Sequence, residues 1–172
     1  ETDAVDNRGH GKSDKTNTYH YNDMADDILR LIDELGLDKP YFYGFSDGGI
    51  IGILCAVKRE NVFDKMILSG ANITPKGLKS YIRVGIKLSY IFTRDNRTKM
   101  MLCEPNITAV QLQKITCPTL VLAGEFDMIA EKETKIIAQS IPNATLKILK
   151  GKNHSDYVVN SDFLKDIIIE FN

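Results

Sequence analysis

Two apolar stretches separated only by Ser46 and Asp47 constrain this chain more than any other feature. Tyr41-Phe42-Tyr43-Gly44-Phe45 is a short aromatic-rich run of strand length that follows Pro40. Gly48 to Val57 is apolar on every side of a helical wheel, the pattern of a helix covered all round. A strand that runs straight into a covered helix belongs in a βαβ unit, beneath which the sheet is itself buried. The rest of the chain keeps the same rhythm. Lys65 to Leu68, Thr119 to Ala123 and Thr145 to Leu149 are strand candidates. Ala25, Ile28, Leu29, Ile32 and Leu35 follow helical spacing from Asp23, with Asn22 or Asp23 as the cap and Gly36 at the end. Further helices are predicted at Glu131 to Ser140 and Asp162 to Phe171. The predicted class is α/β, a mostly parallel sheet flanked by helices.

The rhythm lapses from Pro75 to Ile115, which shows no strand pattern but has helical spacing through Leu78, Tyr81, Ile82, Ile86 and Tyr90. The chain therefore divides into a first core part at 1–73, a short helical insertion at 74–115 and a second core part at 116–172. The insertion carries Lys76, Lys79, Arg83, Lys87, Arg94, Arg97 and Lys99 against the single acid Asp95 over that stretch. This run reads as a solvated helix face rather than an anion-attracting surface.

With 172 residues, 43% hydrophobic and 26% charged, one ordinary globular domain is expected. Basic and acidic residues balance at 22 against 23, so nucleic acid is not an expected partner. No apolar run is long enough to span a bilayer, so no membrane association is expected either. Cys55, Cys103 and Cys117 form no C-x-x-C pair, and Cys55 and Cys117 sit in apolar patterns as core residues. Neither a disulfide framework nor a metal site is expected, and a reducing, cytoplasmic location follows.

The chemistry concentrates at Gly44-Phe45-Ser46-Asp47-Gly48-Gly49, a G-x-S-x-G string at the strand–helix junction. There a serine is thrust out on a sharp turn, with Gly44, Gly48 and Gly49 as structural residues of the elbow. A Cβ at Gly44 or Gly48 is expected to collide with the turn. No G-x-G-x-x-G occurs, which removes a dinucleotide reading. A serine hydroxyl needs a base to accept its proton. His154 follows the last predicted strand, on the sheet edge where the serine turn also lies. His20 reads as a surface residue, and His10, in a glycine loop, stays open as an alternative. Asp127, after the strand Thr119 to Ala123, is the candidate acid that orients the base; Glu125 ranks behind it. The backbone N–H of Asp47 is the candidate oxyanion donor. Its carboxylate either starts the helix or favours a cationic substrate group, the first reading leading.

With the order Ser46…Asp127…His154 in place, the chain resembles the α/β-hydrolase superfamily from about Asp6 to Phe171. Asp6-Asn7-Arg8-Gly9-His10-Gly11-Lys12-Ser13 is similar to the D-x-R-G-x-G-x-S loop after that family's fourth strand. Ser46, Asp127 and His154 match its nucleophile, acid and base, and Pro75 to Ile115 occupies the place of its cap. The resemblance implies a serine hydrolase acting on an ester, lactone or thioester carbonyl of a small molecule, without a cofactor. A non-catalytic binding protein of the same fold and an acyltransferase are the rivals. Family members carry strands before the D-x-R-G loop, and the loop after the third of these supplies a second oxyanion donor. The resemblance thus leads one to expect the C-terminal two-thirds of a larger hydrolase, with Tyr41 to Phe45 at an open edge. Asp6 and Arg8 are expected to brace their loop. Met100, Met101, Tyr81 and Tyr90 are either acyl-pocket walls or packing.

Overall fold

A computed structural model of the protein describes residues 3–171. Four parallel strands, β1 (Phe42–Phe45), β2 (Met66–Ser69), β3 (Thr119–Gly124) and β4 (Ala144–Leu149), lie side by side in that order. Helices connect them: α1 (Tyr21–Glu34) precedes β1 and α2 (Asp47–Lys58) links β1 to β2. α6 (Glu131–Ser140) links β3 to β4, and α7 (Leu164–Phe171) follows β4. Because all four strands run the same way, the loops after β1, β3 and β4 open on one edge of the sheet.

The strands bury both faces by period-two alternation. Met66, Leu68 and Val121 join α1, α2 and α6 in the larger core, through Ile50, Ile53, Leu29 and Ile137. Ile67, Leu120 and Leu122 face the other way, onto Tyr157 and the α7 residues Leu164 and Ile167. Every residue of α2 from Gly49 to Ala56 is buried, because α1 covers the side of the helix that the sheet does not. Among the described residues β1 pairs on one side only, leaving Tyr43 40% exposed.

Local rules place most boundaries within a residue or two of the sequence pattern, and two departures have clear causes. α1 starts at Tyr21 with His20 in the N-cap position and no side-chain cap, so neither Asn22 nor Asp23 caps it. Instead Glu104 reaches back from the insertion: one carboxylate oxygen accepts the Tyr21 N–H at 3.1 Å and the other meets His20 Nδ1 at 2.6 Å. The helical insertion is not one run. A 3-10 turn at Pro75–Gly77 is followed by α3 (Ser80–Thr93), α4 (Asn96–Cys103) and α5 (Ala109–Leu112). The break falls at Arg94, which is left-handed with φ 54°, after which the Asp95 carboxylate accepts the Arg97 N–H at 2.7 Å and caps α4. Met100 is buried in the core, while Tyr81 is exposed on α3.

The His20–Glu104 contact ties α1 to the insertion and carries a pH signature. The hydrogen bond to Glu104, helped by its charge, raises the His20 pKa above the ordinary 6.5. A raised histidine pKa contributes stability that is complete below 6.5 and is lost as pH rises through the folded-state value. The melting-temperature difference between the native chain and His20→Ala is therefore expected to be largest below pH 6.5 and to shrink in alkali. A difference that stays flat from pH 5.5 to 9 would remove His20 as the titrating tie.

Candidate active site

Ser46 sits between the last residue of β1 and the first of α2, at φ 53° and ψ −117°. The Ser46 N–H donates to the Ser69 carbonyl at 2.8 Å, so the strand ladder holds the turn from below. Gly44 has no room for a side chain, because a Cβ there would overlap the Gly48 carbonyl, and one at Gly49 would come within 2.8 Å of the Ala71 Cβ. Gly48 departs from the expectation. A Cβ there meets nothing within 4 Å, because it points away from the turn into open space. The Asp47 N–H opens α2 and belongs to the first turn, whose amide donors have no intrahelical acceptor. The Asp47 carboxylate accepts the Tyr21 hydroxyl at 2.7 Å. Burial pushes the Asp47 pKa upward, and the Tyr21 hydrogen bond works against that.

Two further loops converge on Ser46. The Asn153 side chain accepts the N–H groups of Ser155 and Asp156, and the Asp156 carboxylate accepts that of Asn153, locking the turn around His154. The loop after β3 turns back through an Asp127 N–H to Gly124 carbonyl bond at 3.2 Å. Its backbone touches that of Asn153 so closely that only glycine fits at Gly124. The result is one line of polar contacts. The Ser46 hydroxyl lies 3.1 Å from His154 Nε2, and His154 Nδ1 lies 2.7 Å from Asp127 Oδ1. Asp127 is 2% exposed and accepts two backbone N–H groups as well, from Ile129 at 2.9 Å and Gly124 at 3.3 Å. Burial alone would raise the Asp127 pKa; the hydrogen bonds from His154 and Ile129 outweigh it and hold the carboxyl below its ordinary value.

The rival residues have other partners. Glu125 accepts the Gly151 N–H at 2.8 Å and so fastens the two loops together. His10 Nδ1 meets the Arg8 carbonyl at 3.0 Å and its ring stands edge-on to Tyr19. Asp6 accepts the Lys12 N–H at 2.9 Å within its own loop. Arg8 reaches further than a loop brace, gripping Asp27 of α1 with bonds of 2.6 and 2.7 Å.

Four residues that the sequence reading did not single out shape the site. Gly70, at φ 60°, lies so near His154 that a Cβ would come within 2.8 Å of Cε1. The Phe45 ring packs against the His154 ring at 4.8 Å between centroids. Buried Tyr157 hydrogen-bonds Ser69 at 3.0 Å, beneath the same sheet edge. Buried Glu133 accepts the N–H groups of Ile73 and Thr74, at 3.0 and 2.8 Å, and so holds the segment that leads away from Gly70. A glycine directly after β2 was the readable signal for the first of these. Glu133 looked like any acid in the first turn of a helix.

A family profile described as "alpha/beta hydrolase fold" matches residues 4–84. The esterase EaEST from Exiguobacterium antarcticum superposes with a TM-score of 0.82 over 98% of this chain and 80% of its own, at 20% identity. The chain has the α/β-hydrolase fold. Among relatives by sequence, serine hydrolase BPHL of Mus musculus is 24% identical over 98% of this chain and 68% of its own length. The 3-oxoadipate enol-lactonase 2 of Acinetobacter baylyi is 22% identical over 89% of this chain and 72% of its own. Among the described residues no helix is long and apolar enough to cross a membrane.

Proposed function

We propose that the chain is a serine hydrolase of small-molecule ester-like carbonyls, with Ser46 as nucleophile, His154 as general base and Asp127 as its orienting acid. The observation that carries this reading is the unbroken line from Ser46 Oγ through both ring nitrogens of His154 to the buried Asp127 carboxylate. His154 Nε2 takes the hydroxyl proton as Ser46 Oγ attacks the carbonyl carbon. The Asp47 N–H donates to the oxygen that gains charge. Collapse of the tetrahedral species expels the alcohol, which takes the proton back from His154 and leaves an acyl-serine. Water, deprotonated by His154, then attacks the acyl carbon; the carboxylate product leaves and Ser46 recovers its proton. No step requires a metal or an organic cofactor. The insertion at 74–115 acts as the cap over this edge. Relatives named as a serine hydrolase and an enol-lactonase fit an acyl carbonyl as the target.

The direct test is labelling with a fluorophosphonate probe, which bonds only to an activated serine. The native chain is expected to label at one site, and Ser46→Ala not at all. An unlabelled native chain, or a labelled variant, would overturn the assignment. Gly70→Ala probes the geometry without touching the three residues. Its Cβ would sit 3.0 Å from His154 Nδ1, at a backbone φ of 60°. The ring must move, and a displacement of that kind costs on the order of 10²-fold in kcat/KM. Left-handed strain adds about 1–2 kcal/mol of destabilisation, readable by denaturant titration. Unchanged turnover in Gly70→Ala would mean that the added Cβ does not displace the His154 ring from its working position.

A further inference from the structure

Three of the insertion's basic residues converge instead of spreading over a solvated face. Lys76, Arg83 and Lys87 line a cavity of about 620 Å³ between the 3-10 turn, α3 and α4. That volume is within the range of small-molecule pockets. Val84, Met101 and Leu102 supply apolar wall, and neither Ser46, Asp127 nor His154 lines the cavity. It is therefore separate from the site at the sheet edge, although the segment from Gly70 to Thr74 runs from one to the other.

The electrostatics are one-sided. None of the three cations is paired with a carboxylate of the described residues, in contrast to Arg8, Lys58, Arg59 and Arg97, each of which forms a salt bridge. The carboxylate of Glu133 touches the wall from behind at Thr74, and it is already occupied by two backbone N–H groups and the Thr74 hydroxyl. Arg83 Nε is buried and has no hydrogen-bond partner among the described residues. A buried cationic N–H without an acceptor means that the protein itself does not compensate this guanidinium. Arginine's planar fork suits a carboxylate or phosphate, and the lysines add charge without geometric demand.

We propose that this cavity binds the anionic head group of an apolar acid, seating a carboxylate or phosphate on Arg83, between Lys76 and Lys87, with the tail along Val84, Met101 and Leu102. The site stands independently of the hydrolytic reading, because the ligand is held and not cleaved. Calorimetric titration of the Ser46→Ala chain with octanoate, octyl phosphate and octanamide tests it, with the same titrations on Ser46→Ala chains that also carry Arg83→Met or Lys87→Gln. At least one of the two acids is expected to bind at least tenfold more tightly than the neutral amide, and whichever binds better identifies the head group. Arg83→Met is expected to remove most of that preference, and Lys87→Gln, at an exposed position, to weaken acid binding at least threefold with an unchanged melting temperature. Equal affinity for acid and amide would overturn the proposal, as would an acid preference that survives Lys87→Gln undiminished. If Arg83→Met does not fold, the Lys87→Gln comparison decides alone.

Discussion

Ser46→Ala is expected to lower kcat/KM for an activated ester by roughly 10⁴–10⁶-fold while the chain stays folded, the largest change any single substitution here should produce. On the proposed mechanism the reason is covalent: alanine has no oxygen with which to form the acyl intermediate, and His154 is left with no proton to accept. Residual turnover would come from binding and from the Asp47 N–H acting on the carbonyl without a nucleophile. A loss smaller than tenfold would mean that the reaction runs elsewhere on the molecule.

The same position allows a second readout that is independent of turnover. Ser46 holds a backbone φ of 53° that non-glycine residues rarely adopt. Strain of this sort costs about 1–3 kcal/mol and is tolerated where it serves a site. Ser46→Ala keeps that strain and Ser46→Gly releases it. Ser46→Gly is therefore expected to unfold at higher denaturant than Ser46→Ala, although glycine also gives the unfolded chain more entropy to lose. Equal midpoints would mean that the turn carries no stored strain.

What the sequence made legible follows from periodicity and edge geometry. The apolar run into Ser46 is readable because α2 is covered on all sides, so its composition leaves little choice of environment. α6 begins and ends where its helical spacing says, at Glu131 and Ser140. The parallel sheet then brings the loops after β1, β3 and β4 together, so Ser46, Asp127 and His154 are neighbours by topology before any contact is measured. Other features depend on contacts distant in sequence. Glu104 comes to the start of α1 from 84 residues away along the chain and takes the place of a local cap. The helix break at Arg94 uses a left-handed arginine, which no glycine or proline announces. Gly48 shows the limit of motif reading, since the same string holds two glycines that the packing requires and one whose missing side chain leaves only open space. The basic run of the insertion counts as surface charge until folding gathers Lys76, Arg83 and Lys87 around one cavity.

Asp127→Asn is expected to lower kcat/KM by less than the roughly 10⁴-fold that a wrong tautomer costs, with Asp127→Ala lower still, at about 10⁴-fold, and the hydrogen bonds explain the order. Asp127 Oδ1 receives both His154 Nδ1 and the Ile129 N–H, and Oδ2 receives the Gly124 N–H. An asparagine must turn its NH₂ toward one of these donors. Facing Gly124, it forfeits the longer bond of 3.3 Å and keeps an oxygen for His154; facing His154, it opposes the Ile129 N–H at 2.9 Å and imposes the tautomer that cannot accept the Ser46 proton. The first orientation is favoured, so asparagine preserves the working tautomer and loses chiefly the negative charge that stabilises the imidazolium. Alanine loses both. The stability difference should follow pH in a defined sense. The Asp127 carboxyl is held below its ordinary 3.8, so its contribution is present above that pH and is lost as pH falls through the lower folded-state value. The gap in unfolding free energy between the native chain and Asp127→Asn should therefore close as pH falls below 3.8. A gap that instead widened below pH 3.8 would mean that the buried carboxyl is neutral in the folded chain, and His154 would then have no anion to hold it.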